Sequence, residues 1–301
     1  MFVLNPDPYL LPSYRISPFQ TKDLSKNHFL PYNSRIDSYF ENRFEGQIIY
    51  TENGREAIHI ALEQLELKKD DVVTILTTTG NFYISGCVTK EIEKFCQWSR
   101  EILPETKVFF INHEFGYAFE DIEKLKNTGI PIIEDCASSF FTKGNNIGTI
   151  GDYIIYSFPK MFPIQIGGLL INNTTSNIQH SIDKSKLNYI KSVLSKYIDK
   201  EDKIVAKRWK NYHYLRTEFS KLGIKERFEK IEGNVPSVFM FKTTGSKLNL
   251  PHLKEHFYNH GIQCSVFYGE EAFFLPVHQR LRKEDLDYFI SVFKLFLTKY
   301  V

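Results

Sequence analysis

Residues 131–168 read PIIEDCASSFFTKGNNIGTIGDYIIYSFPKMFPIQIGG, and this stretch is the best guide to the fold. The apolar strand predicted at its start ends on two carboxylates, Glu134 and Asp135. A second predicted strand, 153–157, leads into a loop that carries Lys160. Open α/β sheets place their chemistry beyond the carboxyl ends of the strands. The acid and the lysine are therefore expected to share one polar site.

The segments before this stretch alternate between predicted strands and helices. Apolar or β-branched runs predict strands at 47–51, 71–76 and 107–112, and helical spacing predicts helices at 55–67 and 83–93. Alternation of this kind, kept up from residue 47 to residue 172, predicts an α/β fold. The sheet is expected to be parallel or mixed and covered on both faces.

Composition changes after residue 175, and this change sets the predicted domain boundary. Residues 1–175 are expected to form a large domain that begins with a Pro-, Tyr-, Asn- and Ser-rich arm. Residues 176–301 start with a lysine-rich helical region and continue as mixed helices and strands. We therefore expect a small α+β domain at the C-terminal end.

The bulk composition excludes several classes of protein. The chain has 301 residues, 42% of them hydrophobic and 25% charged, with a formal net charge of +2 and no basic stripe, so nucleic acid is not an expected partner. No apolar run is long enough to span a membrane, and the N-terminus does not resemble a signal peptide. Four widely spaced cysteines, without a CxxC pair, are typical of reduced thiols, so a cytoplasmic location is expected.

Other polar positions at predicted strand ends complete a set of parts. Gly54 lies in a strand–turn–helix segment, a geometry that can receive a phosphate. Phe82 follows a loop of three threonines and a glycine, and His113 follows the next strand. Taken singly, Asp135 could be a helix cap and Lys160 a solvated side chain. Together, a lysine for a Schiff base, a carboxylate, an aromatic ring and a helix start are the parts of a pyridoxal phosphate site.

The sequences of these segments resemble those of the DegT/DnrJ/EryC1/StrS family, the sugar aminotransferases that depend on pyridoxal phosphate and have the aspartate aminotransferase fold (fold type I). The resemblance covers roughly residues 35–300. The segments NGREAIHIAL, HEFG, EDCAS and KGNNIGTIGD are similar to the family's NSGTAALHLAL, HLYG, EDAAQ and KG..VG..GD; they stand at residues 53–62, 113–116, 134–138 and 143–152.

The resemblance implies a role for each matching residue. Lys160 would bind the cofactor aldehyde, and Asp135 would bind the pyridine nitrogen; these two are the catalytic pair. Phe82 would stack on the ring, and His113 is assigned to the substrate side. The implied cofactor-binding set is Gly54, Arg55, Phe82, Asp135, Ser138, Ser157 and Lys160.

Four departures from the family pattern are visible. The family's SFxxTK is shortened to Ser157-Phe158-Pro159-Lys160, which removes two residues before the lysine. Arg55 replaces a threonine at the helix start and could bind phosphate through its charge. Ser138 replaces the glutamine of EDAAQ, and the segment between Phe82 and residue 107 is shorter than the family pattern. The partner-subunit NYRM loop has no clear counterpart.

The resemblance implies transamination of a nucleotide-linked keto sugar, with glutamate as the amino donor and a homodimer that shares its active site. Such chemistry would serve the synthesis of glycans or related sugars. Two alternatives remain open. One is a sugar dehydratase with the same cofactor, although dehydrating relatives carry histidine in place of the lysine. The other is a non-catalytic relative that binds a sugar nucleotide or a partner protein.

Three histidines have a spacing that can hold zinc. His252, His256 and His260 follow one another at intervals of four residues on one predicted helix and its end. A metal site needs ligands from converging directions. We therefore expect a solvent-facing histidine row and no metal site.

Overall fold

The chain forms two compact units in the computed structural model, which describes residues 12–144, 146–229, 232–244 and 248–300. The first unit is residues 19–201, and the second combines residues 12–18 with the described residues from 202 onward. The division therefore falls after residue 201, whereas the change in composition predicted it after residue 175. Residues 1–11 of the predicted N-terminal arm, and residue 301, lie outside the described residues.

The first unit is built on a seven-stranded sheet. Its strands are β1 (Gln47–Thr51), β2 (Val72–Thr77), β3 (Gln97–Ser99), β4 (Thr106–Asn112), β5 (Ile132–Asp135), β6 (Tyr153–Ser157) and β7 (Gly168–Asn172), in the spatial order β1-β7-β6-β5-β4-β2-β3. β7 runs antiparallel to both of its neighbours, and the other pairs are parallel. The mixed, mostly parallel sheet of the predicted α/β fold is confirmed.

Helices cover both faces of this sheet. They are α1 (Asp23–His28), α2 (Arg35–Arg43), α3 (Gly54–Glu63), α4 (Gly86–Ile92), α5 (Ile122–Lys126) and α6 (Lys184–Ile198). Successive residues of the central strands point to opposite faces. Phe110 and Ile133 accordingly join the cluster that contains the apolar residues of α3, whereas Phe109 and Ile132 pack with Ile122 of α5.

Helix α6 explains why the first unit extends past residue 175. The Ser195 hydroxyl accepts a hydrogen bond from the N–H of Ile36 at 3.0 Å, at the start of α2. Lys191 forms an ion pair with Asp37 at 2.7 Å. These contacts join α6 to α2, so the lysine-rich region after β7 belongs to the sheet-bearing unit.

The second unit has its own sheet and core. Its elements are α7 (Glu201–Ser220), β8 (Lys225–Glu226), β9 (Val238–Lys242), α8 (Leu250–Asn259), β10 (Ser265–Val266), β11 (Ala272–Pro276) and α9 (Lys283–Tyr300). The strands pair antiparallel in the order β10-β11-β9-β8. Tyr14 joins this unit through a bridge to Ile262.

The histidine row of the second unit was predicted to face solvent, but His256 is buried, and its Nε2 donates to the carbonyl oxygen of Val292 at 3.1 Å. Its place in the interface between α8 and α9 explains the difference.

Within the described ranges, no helix combines the length and the apolar character needed to cross a membrane.

Candidate active site

The candidate site lies where three neighbouring strands of the first unit end. Asn112, Asp135 and Ser157 are the last residues of β4, β5 and β6, and all three line one cavity of about 290 Å³. Helix starts and loops supply the rest of its wall. The complete lining is Asn53, Gly54, Arg55, Ile58, Tyr83, Ile84, Ser85, Cys87, Val88, Asn112, His113, Phe115, Asp135, Ala137, Ser138, Ile155, Ser157 and Lys160.

Asp135 is the buried acid of this cavity. One of its oxygens accepts from the Asn112 side-chain amide at 2.9 Å, and the other from the N–H of Ala137 at 2.9 Å. Burial raises the pKa of Asp135 above its ordinary value, while those two hydrogen bonds and the charge of Lys160 oppose the shift. A carboxylate has about four acceptor positions, so Asp135 can accept a further hydrogen bond from a group in the cavity.

Glu134 precedes Asp135 and has a different environment, because successive residues of β5 point to opposite faces of the sheet. It is fully buried and accepts hydrogen bonds from His113 Nε2 and from three backbone N–H groups. Those N–H groups belong to Gly148, Ile150 and Gly151. Burial opposes ionisation of Glu134, but the hydrogen bonds outweigh it and hold its pKa below the ordinary value.

His113 was assigned to the substrate side of the site, and the structure engages both of its ring nitrogens within the protein. The N–H of Phe119 donates to Nδ1 at 3.0 Å, so Nδ1 carries no proton. Nε2 then donates to Glu134 at 2.9 Å. The residue borders the cavity but is only 1% exposed, and its ring offers neither nitrogen to a ligand.

Lys160 lies on the cavity despite the shortened segment that precedes it. Residues 158–160 form a single 3-10 turn directly after β6, with Pro159 near its start. Gly167 has a φ of +101°, a conformation that favours glycine, and its carbonyl oxygen accepts from the N–H of Phe158 at 3.1 Å. The turn and this glycine bring Lys160 and Asp135 to the same cavity.

The start of α3 forms the end of the cavity predicted to bind phosphate. Asn53 caps the helix, because its side-chain oxygen accepts from the N–H groups of Arg55 and Glu56 at 3.0 and 3.1 Å. Gly54 lies close to Ser157, whose Cβ would be 3.2 Å from a Cβ at position 54. The Arg55 side chain is exposed and borders the cavity. The sequence reasoning missed Asn53, although Asn is among the commonest residues at a helix cap.

The aromatic side of the cavity differs from the prediction. Phe82, the predicted stacking residue, is 70% exposed and is absent from the lining; the Arg100 guanidinium lies 5.9 Å from its ring centre. Tyr83 and Phe115 line the cavity instead, with ring centres 6.0 Å apart. The side chain of Asn81 accepts from the N–H of Tyr83 at 2.6 Å, a local turn that directs the chain here.

One group of three side chains has donor atoms close enough to hold a metal ion. Ligand atoms of His113, Glu134 and Cys136 lie within 4.8 Å of one another among the described residues. His113 Nδ1 already accepts from the N–H of Phe119, and its Nε2 donates to Glu134, whose oxygens also accept from three backbone N–H groups. These side chains therefore stabilise the fold, and His113 and Glu134 have no free atoms to bind a metal ion.

Sequence comparison finds one family and no curated relative. The model of a family described as "Putative PLP-dependent aminotransferase" matches residues 36–234. A search of curated protein sequences gave no match.

Structure comparison finds enzymes of one fold at low identity. The aminotransferase TlmJ from Streptoalloteichus hindustanus has a TM-score of 0.73 at 16% identity, with 93% of this chain and 95% of that chain covered. A DegT DnrJ EryC1 StrS aminotransferase from Brucella abortus has a TM-score of 0.68 at 15% identity, with 92% and 93% covered. The GDP-4-keto-6-deoxy-D-mannose-3-dehydratase of E. coli has a TM-score of 0.67 at 14% identity, with 94% and 98% covered. These similarities show a shared fold.

Proposed function

Because the chain belongs to a family of pyridoxal phosphate-dependent aminotransferases, we propose that it transfers an amino group to a nucleotide-linked keto sugar, with glutamate as the donor. The observation that carries this proposal is the meeting of Asp135, Lys160 and the start of α3 on one cavity. The sugar and nucleotide parts of the proposal are supported by fold neighbours, which include a DegT DnrJ EryC1 StrS aminotransferase and a GDP-sugar dehydratase.

The side chains that line the cavity fit pyridoxal phosphate. Asp135 has acceptor capacity left for a pyridine N–H, and burial excludes the water that would compete for it. Lys160 supplies the amine that binds the aldehyde. The phosphate would be held by the N-terminal turn of α3 and by side chains beside it, namely Gly54, Arg55 and Ser157.

The proposal also covers three further predicted positions, Ser138, Phe82 and His113. Ser138 borders the cavity and takes the place of the longer glutamine beside the hydroxyl side of the ring. Tyr83 and Phe115 provide the aromatic surface in place of Phe82, since both border the cavity and offer flat apolar faces. His113 has a supporting role, because its nitrogens already serve Glu134 and Phe119.

The bound cofactor supplies an electron sink for the carbanion that forms when a C–H bond of the substrate is broken. The residues of this chain control the protons. Once an incoming amine has displaced Lys160 from the aldehyde, its free Nζ would accept the proton from the substrate carbon and would return it to complete the 1,3-shift. Asp135 keeps the ring nitrogen protonated, since the ionised carboxylate and the ring cation stabilise each other in the buried site.

Covalent trapping tests the cofactor and the lysine together. Wild-type protein mixed with pyridoxal phosphate, reduced with borohydride and digested should carry the phosphopyridoxyl mass on the peptide that contains Lys160. Lys160→Ala should lose that label, and Lys124→Ala, which removes an exposed lysine paired with Asp121, should keep it. Label retained by the Lys160 variant would overturn the assignment.

A product assay distinguishes the proposed reaction from its alternatives. Nucleotide-linked keto sugars incubated with glutamate should give an amino sugar and 2-oxoglutarate. Release of water without formation of an amino sugar would indicate the dehydratase. Binding of the nucleotide sugar without cofactor binding or turnover would indicate the non-catalytic relative.

The active form in this proposal is a homodimer, and the exposed Phe82 supports it. Phe82 lies beside the cavity loop, and Trp98 of the edge strand β3 and Ile102 are exposed in the segment that carries Arg100. A large exposed apolar group suits a surface covered by a partner. Sedimentation should show a dimer that Phe82→Ser weakens, whereas Phe29→Ser, at an even more exposed phenylalanine outside this group, should leave it unchanged.

A further inference from the structure

The loops after β2 and β4 are tied together beside the cavity. The carboxylate of Glu114, in the loop after β4, accepts from both the N–H and the hydroxyl of Thr79, at 3.1 and 2.8 Å. The N–H of Glu114 donates to the Thr78 hydroxyl oxygen at 2.9 Å, and that hydroxyl donates to the carbonyl of Tyr117 at 2.7 Å. Four hydrogen bonds thus join two loops that are otherwise separate in sequence.

Glu114 is an unusual residue for such a place. It is 2% exposed, and a buried carboxylate is costly unless its hydrogen bonds compensate. The resembled family has leucine here, in its HLYG. The negative charge of Glu114 also acts on the half-buried Arg100. Burial lowers the pKa of Arg100, and the Glu114 charge opposes that shift. Arg100 in turn donates to the carbonyl of Asn81, in the same loop as Thr79.

Each of the two loops carries one ring of the aromatic pair. Tyr83 follows Asn81, whose side chain fixes the Tyr83 N–H. Phe115 follows Glu114 directly and has a φ of +53° and a ψ of +25°. A residue with a side chain rarely adopts this left-handed conformation unless its neighbours hold it there. The bonds of Glu114 on one side and of Tyr117 on the other hold Phe115 there.

We propose that Glu114 is a positioning residue, which sets the spacing of Tyr83 and Phe115 and so shapes the aromatic side of the cofactor cavity. The inference rests on the proposed function, because that function gives the cavity its ligand. Glu114 is absent from the cavity lining, and its carboxylate and backbone reach the cavity through Thr79 and Thr78. It tunes ring recognition and takes no part in proton transfer.

The test compares two buried glutamates changed in the same way. Glu114→Leu removes the acceptor from the loop link and restores the residue of the resembled family. Glu91→Leu is the matched control, because Glu91 is also buried but accepts from His59 and Lys94, outside the cavity lining. Thr79→Val, which removes only the hydroxyl donor, replaces Glu114→Leu if that variant does not fold.

Crystal structures of the unliganded variants measure the spacing itself. Glu114→Leu should separate or disorder the rings of Tyr83 and Phe115 by more than about 1 Å, a displacement large enough to matter at a binding site. Glu91→Leu should leave the wild-type spacing. Unchanged ring positions in Glu114→Leu would overturn the inference, whatever the cofactor does.

Cofactor binding provides the second measurement. Glu114→Leu should raise the dissociation constant of pyridoxal phosphate at least tenfold and change the circular dichroism of the bound cofactor, and Glu91→Leu should do neither. Equal affinity and spectrum in wild type and Glu114→Leu would overturn the inference while leaving the proposed function intact. Failure of the wild type to bind the cofactor would overturn the proposed function, and the crystal structures would still decide the role of Glu114.

Discussion

Glu134 and Asp135 are consecutive buried acids at the end of β5, but they face opposite sides of the sheet and have different hydrogen-bond partners. On one side, His113 and the 148–151 loop give Glu134 four donors and hold its pKa low. On the other side, Asp135 receives two donors, faces the cavity and has a raised pKa. A saturated carboxylate contributes to the fold, and one with spare acceptor capacity is available to a ligand.

The largest effect is expected on the Glu134 side. Glu134→Gln replaces an oxygen acceptor by an NH₂ group that meets backbone donors, so buried hydrogen bonds are lost. The free energy of unfolding should fall by about 3 kcal/mol. Urea denaturation measures it, with Glu105→Gln on the exposed surface as control. A loss below that of an ordinary surface change would contradict the structural role of Glu134.

Asp135→Asn should reverse the pattern. The amide keeps the size of the side chain, and its oxygen can still accept from the N–H of Ala137. Its NH₂ can donate to the Asn112 side chain once that amide turns its oxygen towards it, so the free energy of unfolding should change by less than about 1 kcal/mol. Cofactor affinity should fall by roughly tenfold to a hundredfold, the worth of a hydrogen bond to a charged group. Equilibrium titration with pyridoxal phosphate measures it. Unchanged affinity would show that Asp135 does not contact the ring.

His113→Phe tests which side of the strand this histidine serves. The change removes one donor from Glu134 and the acceptor of the Phe119 N–H. The free energy of unfolding should therefore fall by about 2 kcal/mol, with cofactor affinity preserved. Thermal and urea unfolding, measured beside cofactor titration, give both values. Loss of affinity at unchanged stability would return His113 to the ligand side.

The smallest effect is expected in the pH dependence of stability. The pKa of Glu134 is lowered in the folded state, so its contribution is present above its unfolded pKa, about 4.3, and is lost as pH falls through the folded value. The pKa of Asp135 is raised, so its contribution is present below its unfolded pKa, about 3.9, and is lost as pH rises through the folded value.

Urea midpoints across the acid range therefore separate the two residues. Glu134→Gln should flatten the fall in stability towards low pH, and Asp135→Asn should remove the decline that accompanies ionisation of Asp135. The same slope in both variants would contradict the distinction between the two sides of β5.

Much of this arrangement could be predicted from sequence, because it depends on order along the chain. The alternation of strands and helices predicted the sheet. The positions of Asp135 at the end of β5 and Lys160 just after β6 predicted that both lie at the same edge of that sheet. The shortened segment before Lys160 did not prevent this, since one 3-10 turn spans it.

What could not be predicted depends on side-chain direction and partners. Phe82 and Tyr83 are adjacent aromatic residues, and only the Asn81 turn decides which one borders the cavity. His113 was predicted to face the substrate, but in the structure its two ring nitrogens are bound to Glu134 and to the N–H of Phe119. Such assignments depend on the direction of each side chain and on its hydrogen-bond partners, which neither periodicity nor motif spacing encodes.

The short segment around Tyr14 has a consequence for synthesis on the ribosome. Its backbone pairs with Gly261 and Gln263, both at 2.8 Å, and its ring packs on Phe289 at 5.2 Å between centres. These partners emerge after the whole first unit, 19–201, has been made. The segment must therefore wait for these partners while residues 19–201 are synthesised, so the first unit can fold before the second one does.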